Sequence, residues 1–134
     1  MRPGAIPARP LRLSVVALSL AVLLAGCGTW STQSSRLAPG VQPVAAKKAP
    51  AEIALSENDI TDRPYRSLGD IKVTVHKTTI FDHDPTRAEV DDGLRARAVE
   101  LGADAIVLVR YGTVGIGALS WGQMDGTGRA IVFQ

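Results

Sequence analysis

The sequence predicts an α+β fold: a small ββαββ-type domain with one long helix packed on a mixed sheet. Three patterns lead to this expectation. Apolar and polar residues alternate in one stretch, apolar residues recur every three or four positions in the next, and an unbroken apolar run follows. These patterns are typical of a half-buried strand, an amphipathic helix and a strand covered on both faces. We expect this domain at residues 51–134, after two segments of different composition, 1–26 and 27–50.

The first half of the domain is predicted to hold two strands. Residues 52–55 are a short strand candidate, followed by a turn in which Ser56 accepts a hydrogen bond from a backbone N–H. In residues 68–80 the apolar Ile71, Val73 and Val75 alternate with polar residues, among them His76. Period-two alternation predicts a strand with one face on the core and one face in water.

The helix is predicted to begin at Asp84-Pro85, with aspartate as the cap and proline at the first helical position. Gly102 is expected to end it in the left-handed conformation that glycine tolerates. Gly93 lies inside the helix, and close packing of helix on sheet is the expected reason. The apolar stripe of the helix comprises Val90, Leu94, Ala98 and Leu101.

The last third of the chain is predicted to be mostly strand. Residues 105–109 suit a central strand, and 129–133 form the final strand after a turn at Asp125-Gly126. The glycine-dense residues 112–122 between them fit either a bulged strand or a long loop. Tyr111 and Trp121 are expected in the core, with an exposed contact patch as the alternative.

Residues 1–26 have the features of an export signal. The basic residues Arg2, Arg9 and Arg12 precede an apolar run at 13–24, which is shorter than the about 20 residues of a membrane-spanning helix. The run ends in the tetrapeptide Leu24-Ala25-Gly26-Cys27.

That tetrapeptide resembles the lipobox of bacterial lipoproteins. The resemblance implies that Leu24, Ala25 and Gly26 are recognised by the signal peptidase, and that Cys27 becomes the acylated N-terminal residue. Gly28, rather than aspartate, follows the cysteine. By the sorting rule of such lipoproteins, this implies the outer membrane, facing the periplasm, in a bacterium with two membranes.

Residues 28–50 are predicted to be a disordered tether. They are rich in serine, alanine, glutamine and proline and show no sustained apolar period, so they cannot bury enough surface to offset their ordering entropy. A flexible segment of this length would reach about 25–30 Å. Trp30 is expected either at the membrane interface or as an exposed tether residue.

Charge argues against nucleic acid as a partner. The chain has 15 basic and 13 acidic residues, but three of the basic ones lie in the signal segment. Cleavage would therefore leave 12 against 13, a net charge of −1. A slightly acidic domain without a basic cluster is a poor ligand for the phosphate backbone.

Few residues suggest chemistry. Cys27 is the only cysteine, so no disulfide within the chain is expected. Asp82-His83-Asp84, with His76 upstream, is the only cluster of metal-ligand types, and His76 and His83 are weak candidates because a zinc site needs three or four converging groups. We expect no cofactor, no metal site and no catalytic residues.

Three segments carry a family resemblance: Tyr65-Arg66-Ser67-Leu68-Gly69-Asp70-Ile71, Leu101-Gly102-Ala103-Asp104-Ala105-Ile106-Val107 and Gly128-Arg129-Ala130-Ile131. Together they resemble the YbjQ-like domains, whose fold is shared by RcsF-like lipoproteins. The resemblance implies that self-assembly into rings is open to this chain. RcsF-like sensors carry paired disulfide cysteines, which this sequence lacks, so their sensing function is not implied.

These observations predict a membrane-anchored lipoprotein of the cell envelope. Its expected role is that of a non-enzymatic module that binds an envelope protein or assembles with itself. The alternative is a metal- or ligand-sensing lipoprotein in an envelope stress response, which requires a site at His76 and His83 or in residues 112–122.

Overall fold

The computed structural model describes residues 28–44, 48–117 and 120–134. One helix packs on a six-stranded mixed sheet, as predicted. The helix α1 is Arg87–Glu100, and the strands are β1 (Thr29–Leu37), β2 (Ala54–Leu55), β3 (Tyr65–Lys77), β4 (Ala105–Tyr111), β5 (Gly115–Gly117) and β6 (Ser120–Phe133).

The sheet has the order β1-β3-β6-β4-β2, and β5 pairs with the beginning of β6. Only β2 and β4 run parallel; the other pairs are antiparallel. The elements β2, β3, α1, β4 and β6 correspond to the predicted ββαββ unit. Two strands are additional: β1 lies in the segment predicted as a tether, and β5 lies in residues 112–122, which fitted either a strand or a loop.

The main core lies between α1 and one face of β3, β4 and β6. Val90, Leu94 and Ala98 of the predicted helical stripe are fully buried, as are Ile71 and Val73 on the facing strand. Their burial confirms both the helical period and the strand alternation. The predicted turn at Ser56 is also present, since its hydroxyl accepts a hydrogen bond from the Asn58 N–H at 3.1 Å.

The helix begins two residues later than predicted. Thr86, not Asp84, is the N-cap: its hydroxyl accepts a hydrogen bond from the Glu89 N–H, and the Glu89 carboxylate accepts one from the Thr86 N–H at 2.8 Å. This reciprocal capping box satisfies two backbone donors, whereas a cap at Asp84 would satisfy one. Asp84 instead accepts a hydrogen bond from Lys77 at 2.7 Å.

Glycines allow α1 to lie close to the sheet. A Cβ on Gly93 would come within 2.6 Å of Val73 Cγ1, which confirms the predicted reason for glycine in the helix. From the sheet side, a Cβ on Gly126 would come within 2.0 Å of Val90 Cγ1. Gly102 ends the helix with φ +70°, also as predicted.

The prediction of a tether is wrong for residues 29–37, because Thr29–Leu37 forms strand β1. It pairs with β3 along its whole length, from Thr29 opposite Lys77 to Leu37 opposite Gly69. None of its side chains is fully buried. Backbone hydrogen bonds to β3 hold the strand in place. Because these bonds do not depend on the side chains, the sequence of β1 shows no alternation of apolar and polar residues. The folded unit therefore begins near residue 29 rather than at 51.

The predicted turn at Asp125-Gly126 is also wrong, because β6 runs unbroken from Ser120 to Phe133. Gly126 and Gly128 instead allow neighbouring side chains to lie close to the backbone of β6. A Cβ on Gly128 would come within 2.5 Å of Ile106 Cγ2. Within 112–122, the short strand β5 pairs irregularly with β6, so the strand alternative holds there. Residues 118–119 lie outside the described part of the chain.

A smaller apolar cluster covers part of the other face of the sheet. Its buried members are Ala105, Val107 and Ile131. Leu108, at a bulge in β4 with φ +55°, packs against this cluster together with Ile60 of the loop after β2. Tyr65, the first residue of β3, and Phe133 at the end of β6 also pack against it. In the described chain, the same face of β1 and of the rest of β3 and β6 is left open.

Candidate functional site

The uncovered face of the sheet is the candidate functional surface. We call it the open sheet face and define it by the side chains of β1, β3 and β6 that alternate with the core residues. Its members are Trp30, Thr32, Ser34 and Arg36 on β1, Asp70, Lys72, Thr74 and His76 on β3, and Gln123, Asp125, Thr127 and Arg129 on β6. Its two ends differ in chemistry.

One end of the open sheet face is charged. Lys72 Nζ lies 2.8 Å from Asp125 Oδ2, and the Thr74 hydroxyl donates a hydrogen bond to Asp125 Oδ1 at 2.7 Å. Arg129 Nε donates one to Asp70 Oδ1 at 2.9 Å. These contacts tie β6 to β3 across the sheet surface.

The same contacts shift the pKa values of two groups. Partial burial alone would raise the pKa of Asp125, but the hydrogen bonds from Lys72 and Thr74 outweigh it and lower that pKa. The hydrogen bond to Asp70, with the attraction of its negative charge, raises the pKa of Arg129. Both shifts favour the charged forms of Asp125 and Arg129.

A shallow depression of about 350 Å³ lies between these pairs and β1. Ser34, Arg36, Asp70, Lys72 and Thr127 contribute to its lining. Of its cations, Lys72 is paired with an acid, while Arg36 makes no ion pair with any residue in the described ranges. Such a surface can bind polar or anionic groups of a partner. It contains no nucleophile hydrogen-bonded to a base among the described residues.

The other end of the open sheet face is aromatic. The Trp30 indole stacks on the His76 ring, with centroids 4.2 Å apart and the planes 17° from parallel. His76 Nε2 lies 3.3 Å from the Thr32 hydroxyl. Trp30 is therefore fixed on a strand, which replaces the expectation of an exposed tether residue, and 46% of it remains exposed.

The expectation of a core position is wrong for Trp121 and only partly right for Tyr111. Trp121 is 62% exposed, just beyond Gln123 on β6, which agrees with the alternative of a surface contact. Tyr111 is half-buried against the core, and its hydroxyl donates a hydrogen bond to Asp91 at 2.6 Å. Burial and this hydrogen bond raise the pKa of Tyr111 to about 12.

Exposed apolar side chains gather beyond the aromatic end of the face. We call this region the apolar end; it comprises Trp30, Ile80, Phe81, Val114, Ile116 and Trp121. Strand register brings its segments together, because Gln123 pairs with His76 on one side and Gly115 on the other. Phe81 is 91% exposed and Ile116 83%. Val44, the other large exposed apolar residue of the described chain, lies at the opposite end of α1, where its N–H bonds to the Glu100 carbonyl.

The histidines predicted as weak metal candidates do not come together as a site. His83 Nε2 lies 3.1 Å from Glu89 Oε1, whereas His76 is engaged with Trp30 and Thr32. Asp82 accepts hydrogen bonds from the N–H and hydroxyl of Thr79. Across residues 28–44, 48–117 and 120–134, no group of three or more histidine, cysteine, aspartate or glutamate side chains could hold a metal ion.

Glu89 connects β1, the helix cap and the loop before α1, and the sequence analysis did not identify it. Its carboxylate accepts hydrogen bonds from the Thr29 hydroxyl at 2.9 Å and from the Thr86 N–H, and it contacts His83. Desolvation opposes its ionisation, but these hydrogen bonds prevail and lower the pKa of Glu89 to about 2. The pattern Thr86-x-x-Glu89 is a capping-box signature and could have identified this residue.

The proposed lipidation motif, Leu24, Ala25, Gly26 and Cys27, lies outside the described residues. Gly28 is the first described residue, and its carbonyl accepts a hydrogen bond from the Thr78 N–H at 3.0 Å. Within the described part of the chain, α1 is neither long nor apolar enough to cross a bilayer.

Comparison with known proteins gives one structural neighbour. No protein-family model and no curated protein sequence matches the chain. The crystal structure of the Francisella virulence factor FvfA, in its orthorhombic form, is similar with a TM-score of 0.45 and 17% sequence identity. The similarity covers 76% of this chain and 96% of FvfA.

Proposed function

We propose that this protein is a lipoprotein of the bacterial cell envelope, anchored through acyl chains on Cys27. The observation that carries the proposal is the tetrapeptide Leu24-Ala25-Gly26-Cys27 at the end of an apolar run with basic residues before it. Three acyl chains, at about 0.8 kcal/mol for each buried methylene, would hold the protein at the bilayer far more firmly than a single chain. With Gly28 after the cysteine, the outer membrane facing the periplasm is the proposed location.

The proposed role is binding rather than catalysis. β1 is an edge strand of nine residues, and only its inner side pairs with β3 in the described sheet. Exposed strand edges and open sheet faces accept partner chains through backbone hydrogen bonds and side-chain contacts. We therefore assign the edge of β1 and the adjoining open sheet face to an envelope protein partner or a second copy of the chain.

The anchor is tested by fractionation of cells that produce the full-length protein. The wild-type chain is expected in the membrane fraction, and Cys27→Ala is expected to leave it or to accumulate as uncleaved precursor. Ser31→Ala, three residues into β1, keeps the motif intact and serves as the control. Unchanged membrane association and processing of Cys27→Ala would contradict the anchor.

The binding surface is tested by photocross-linking in intact envelopes. A photoreactive residue in place of Ser34, on the open sheet face, is expected to give a discrete cross-linked species. The same residue in place of Thr61, an exposed loop position, is the control. No adduct at position 34, or equal adducts at both positions, would contradict an interaction through this face.

A further inference from the structure

We infer that the apolar end is a membrane-contacting surface, which rests the domain directly on the lipid bilayer beside its own anchor. The inference depends on the proposed acylation of Cys27. It goes beyond that proposal, because an anchored domain could equally hang away from the membrane.

The exposed apolar residues are concentrated at one end of the domain. Of the seven large apolar side chains that the described structure exposes, all but Val44 belong to the apolar end. Both tryptophans of the chain are among them. Exposed apolar groups scattered singly are ordinary on protein surfaces, but a group at one end of a domain marks a contact surface. Tryptophan in particular favours the boundary between lipid headgroups and acyl chains.

The chain enters the described fold at the same end. The Thr78 N–H bonds to the Gly28 carbonyl, so the first described residue is fixed against the loop that carries Ile80 and Phe81. A Cβ on Gly28 would come within 2.5 Å of Asp82 Oδ1, which shows how closely this loop covers the chain. Cys27 is bonded directly to Gly28 in the sequence, so acyl chains on it would begin beside the loop that carries Ile80 and Phe81.

The charges at this end also bear on the kind of lipid it would contact. Lys77 pairs with Asp84 at 2.7 Å, and the Glu89 carboxylate accepts hydrogen bonds from Thr29 and Thr86. The Asp82 carboxylate accepts hydrogen bonds from Thr79 at 2.7 and 2.9 Å. Since Lys77 is already paired, the described residues at this end offer no basic patch to anionic lipid, and the expected contact is with an uncharged phospholipid interface.

This arrangement orients the rest of the molecule. With the apolar end in the interface, β1 rises from the membrane, and its nine residues span about 30 Å. The charged end of the open sheet face and Val44 then lie far from the lipid. The edge of β1 stays accessible to a partner in the aqueous compartment.

The test uses the intrinsic fluorescence of the full-length acylated protein. The protein is reconstituted in phosphatidylcholine vesicles with or without phosphatidylcholine brominated near the glycerol end of its acyl chains. Because both tryptophans lie at the apolar end, bromine is expected to quench most of the emission. The variants Trp30→Phe and Trp121→Phe each leave one reporter, and quenching is expected in both.

A double variant and a matched control sharpen the result. Phe81→Ser combined with Ile116→Ser removes two exposed apolar groups and is expected to reduce quenching, while the thermal midpoint stays unchanged. Val44→Ser removes an exposed apolar group at the far end and is expected to leave quenching as in the wild type.

The mass spectrum of each preparation separates the possible failures. A chain without acyl groups would overturn the anchor, and this inference with it. An acylated chain with unquenched tryptophans would overturn this inference alone. Unquenched tryptophans in a particle with the mass of a dimer would show that a second copy covers the apolar end, which also overturns it.

Discussion

The backbone carbonyl of Gly28 accepts a hydrogen bond from the Thr78 N–H at 3.0 Å, which joins the start of β1 to the loop after β3. Since Gly28 directly follows Cys27, this contact leaves no room for a spacer between a lipid anchor and the sheet. The tether expected at 28–50 would have let the domain move about 25–30 Å from the bilayer. Because Thr29–Leu37 is a strand, the proposed anchor at Cys27 would instead lie close to the apolar end.

We predict that the amides of β1 that bond to β3 exchange slowly with solvent. Hydrogen exchange measured by mass spectrometry should show protection in Thr29–Leu37, because exchange requires opening of the ladder with β3. The exposed loop at residues 61–63 provides the fast reference. Exchange in β1 as rapid as in that loop would restore the interpretation of a tether.

Replacement of Gly126 should destabilise the fold. In Gly126→Ala the new Cβ would overlap Val90 Cγ1 at 2.0 Å, and the helix must shift away from the sheet, at a cost of about 1–3 kcal/mol in the free energy of unfolding. Gly115→Ala is the matched control, since its nearest neighbour is the Thr113 carbonyl at 4.0 Å. Equal urea midpoints for the two variants would argue against the close approach of α1.

The corrected position of the helix cap has a measurable consequence. Thr86→Ala removes the hydroxyl that caps α1 and should lower the free energy of unfolding by about 1 kcal/mol. Asp84→Ala removes an exposed partner of Lys77 and should change it by less than about 0.5 kcal/mol. The reverse order of the two effects would favour Asp84 as the cap.

Glu89 should make stability depend on pH in the acid range. Its pKa is lowered from 4.5 to about 2, so its contribution is fully present above the pKa of the unfolded chain and is lost as the pH falls from 4.5 through 2. Because the carboxylate is partly exposed, the expected loss is on the order of 1–2 kcal/mol.

Glu89→Gln is the matching variant for that prediction. Glutamine keeps the acceptor oxygen of a capping box but has no charge to titrate. Its urea midpoint at neutral pH should be lower than that of the wild type, and the difference should shrink between pH 4.5 and 2. A difference that is constant over this range would assign the acid sensitivity to other carboxylates.

Patterned side chains explain which parts of the fold the sequence predicted. Ile71, Val73 and Val75 alternate because one face of β3 is buried, and Val90, Leu94 and Ala98 follow the helical period for the same reason. β1 has no fully buried side chain and pairs with β3 through backbone hydrogen bonds. Such bonds do not depend on residue type, so the composition of the segment did not predict the strand. Gly126 and Gly128 resemble turn residues, but the packing of Val90 and Ile106 requires them.

The candidate site was less predictable than the fold. Trp121 was expected in the core because large aromatic residues usually bury, yet it lies exposed on β6. The open sheet face depends on β1, whose pairing brings Arg36 beside Asp70, and no local pattern indicates that neighbour. Cys27 was identified by its immediate sequence context and stays a prediction, since a lipobox is a local motif that does not depend on the fold.

The most direct test of the proposed anchor is the intact mass of the protein extracted from membranes with detergent. We predict a chain that begins at Cys27 and carries the added mass of a diacylglyceryl group and one further acyl chain. A chain that begins at Met1, or at any other residue with an unmodified thiol, would contradict it.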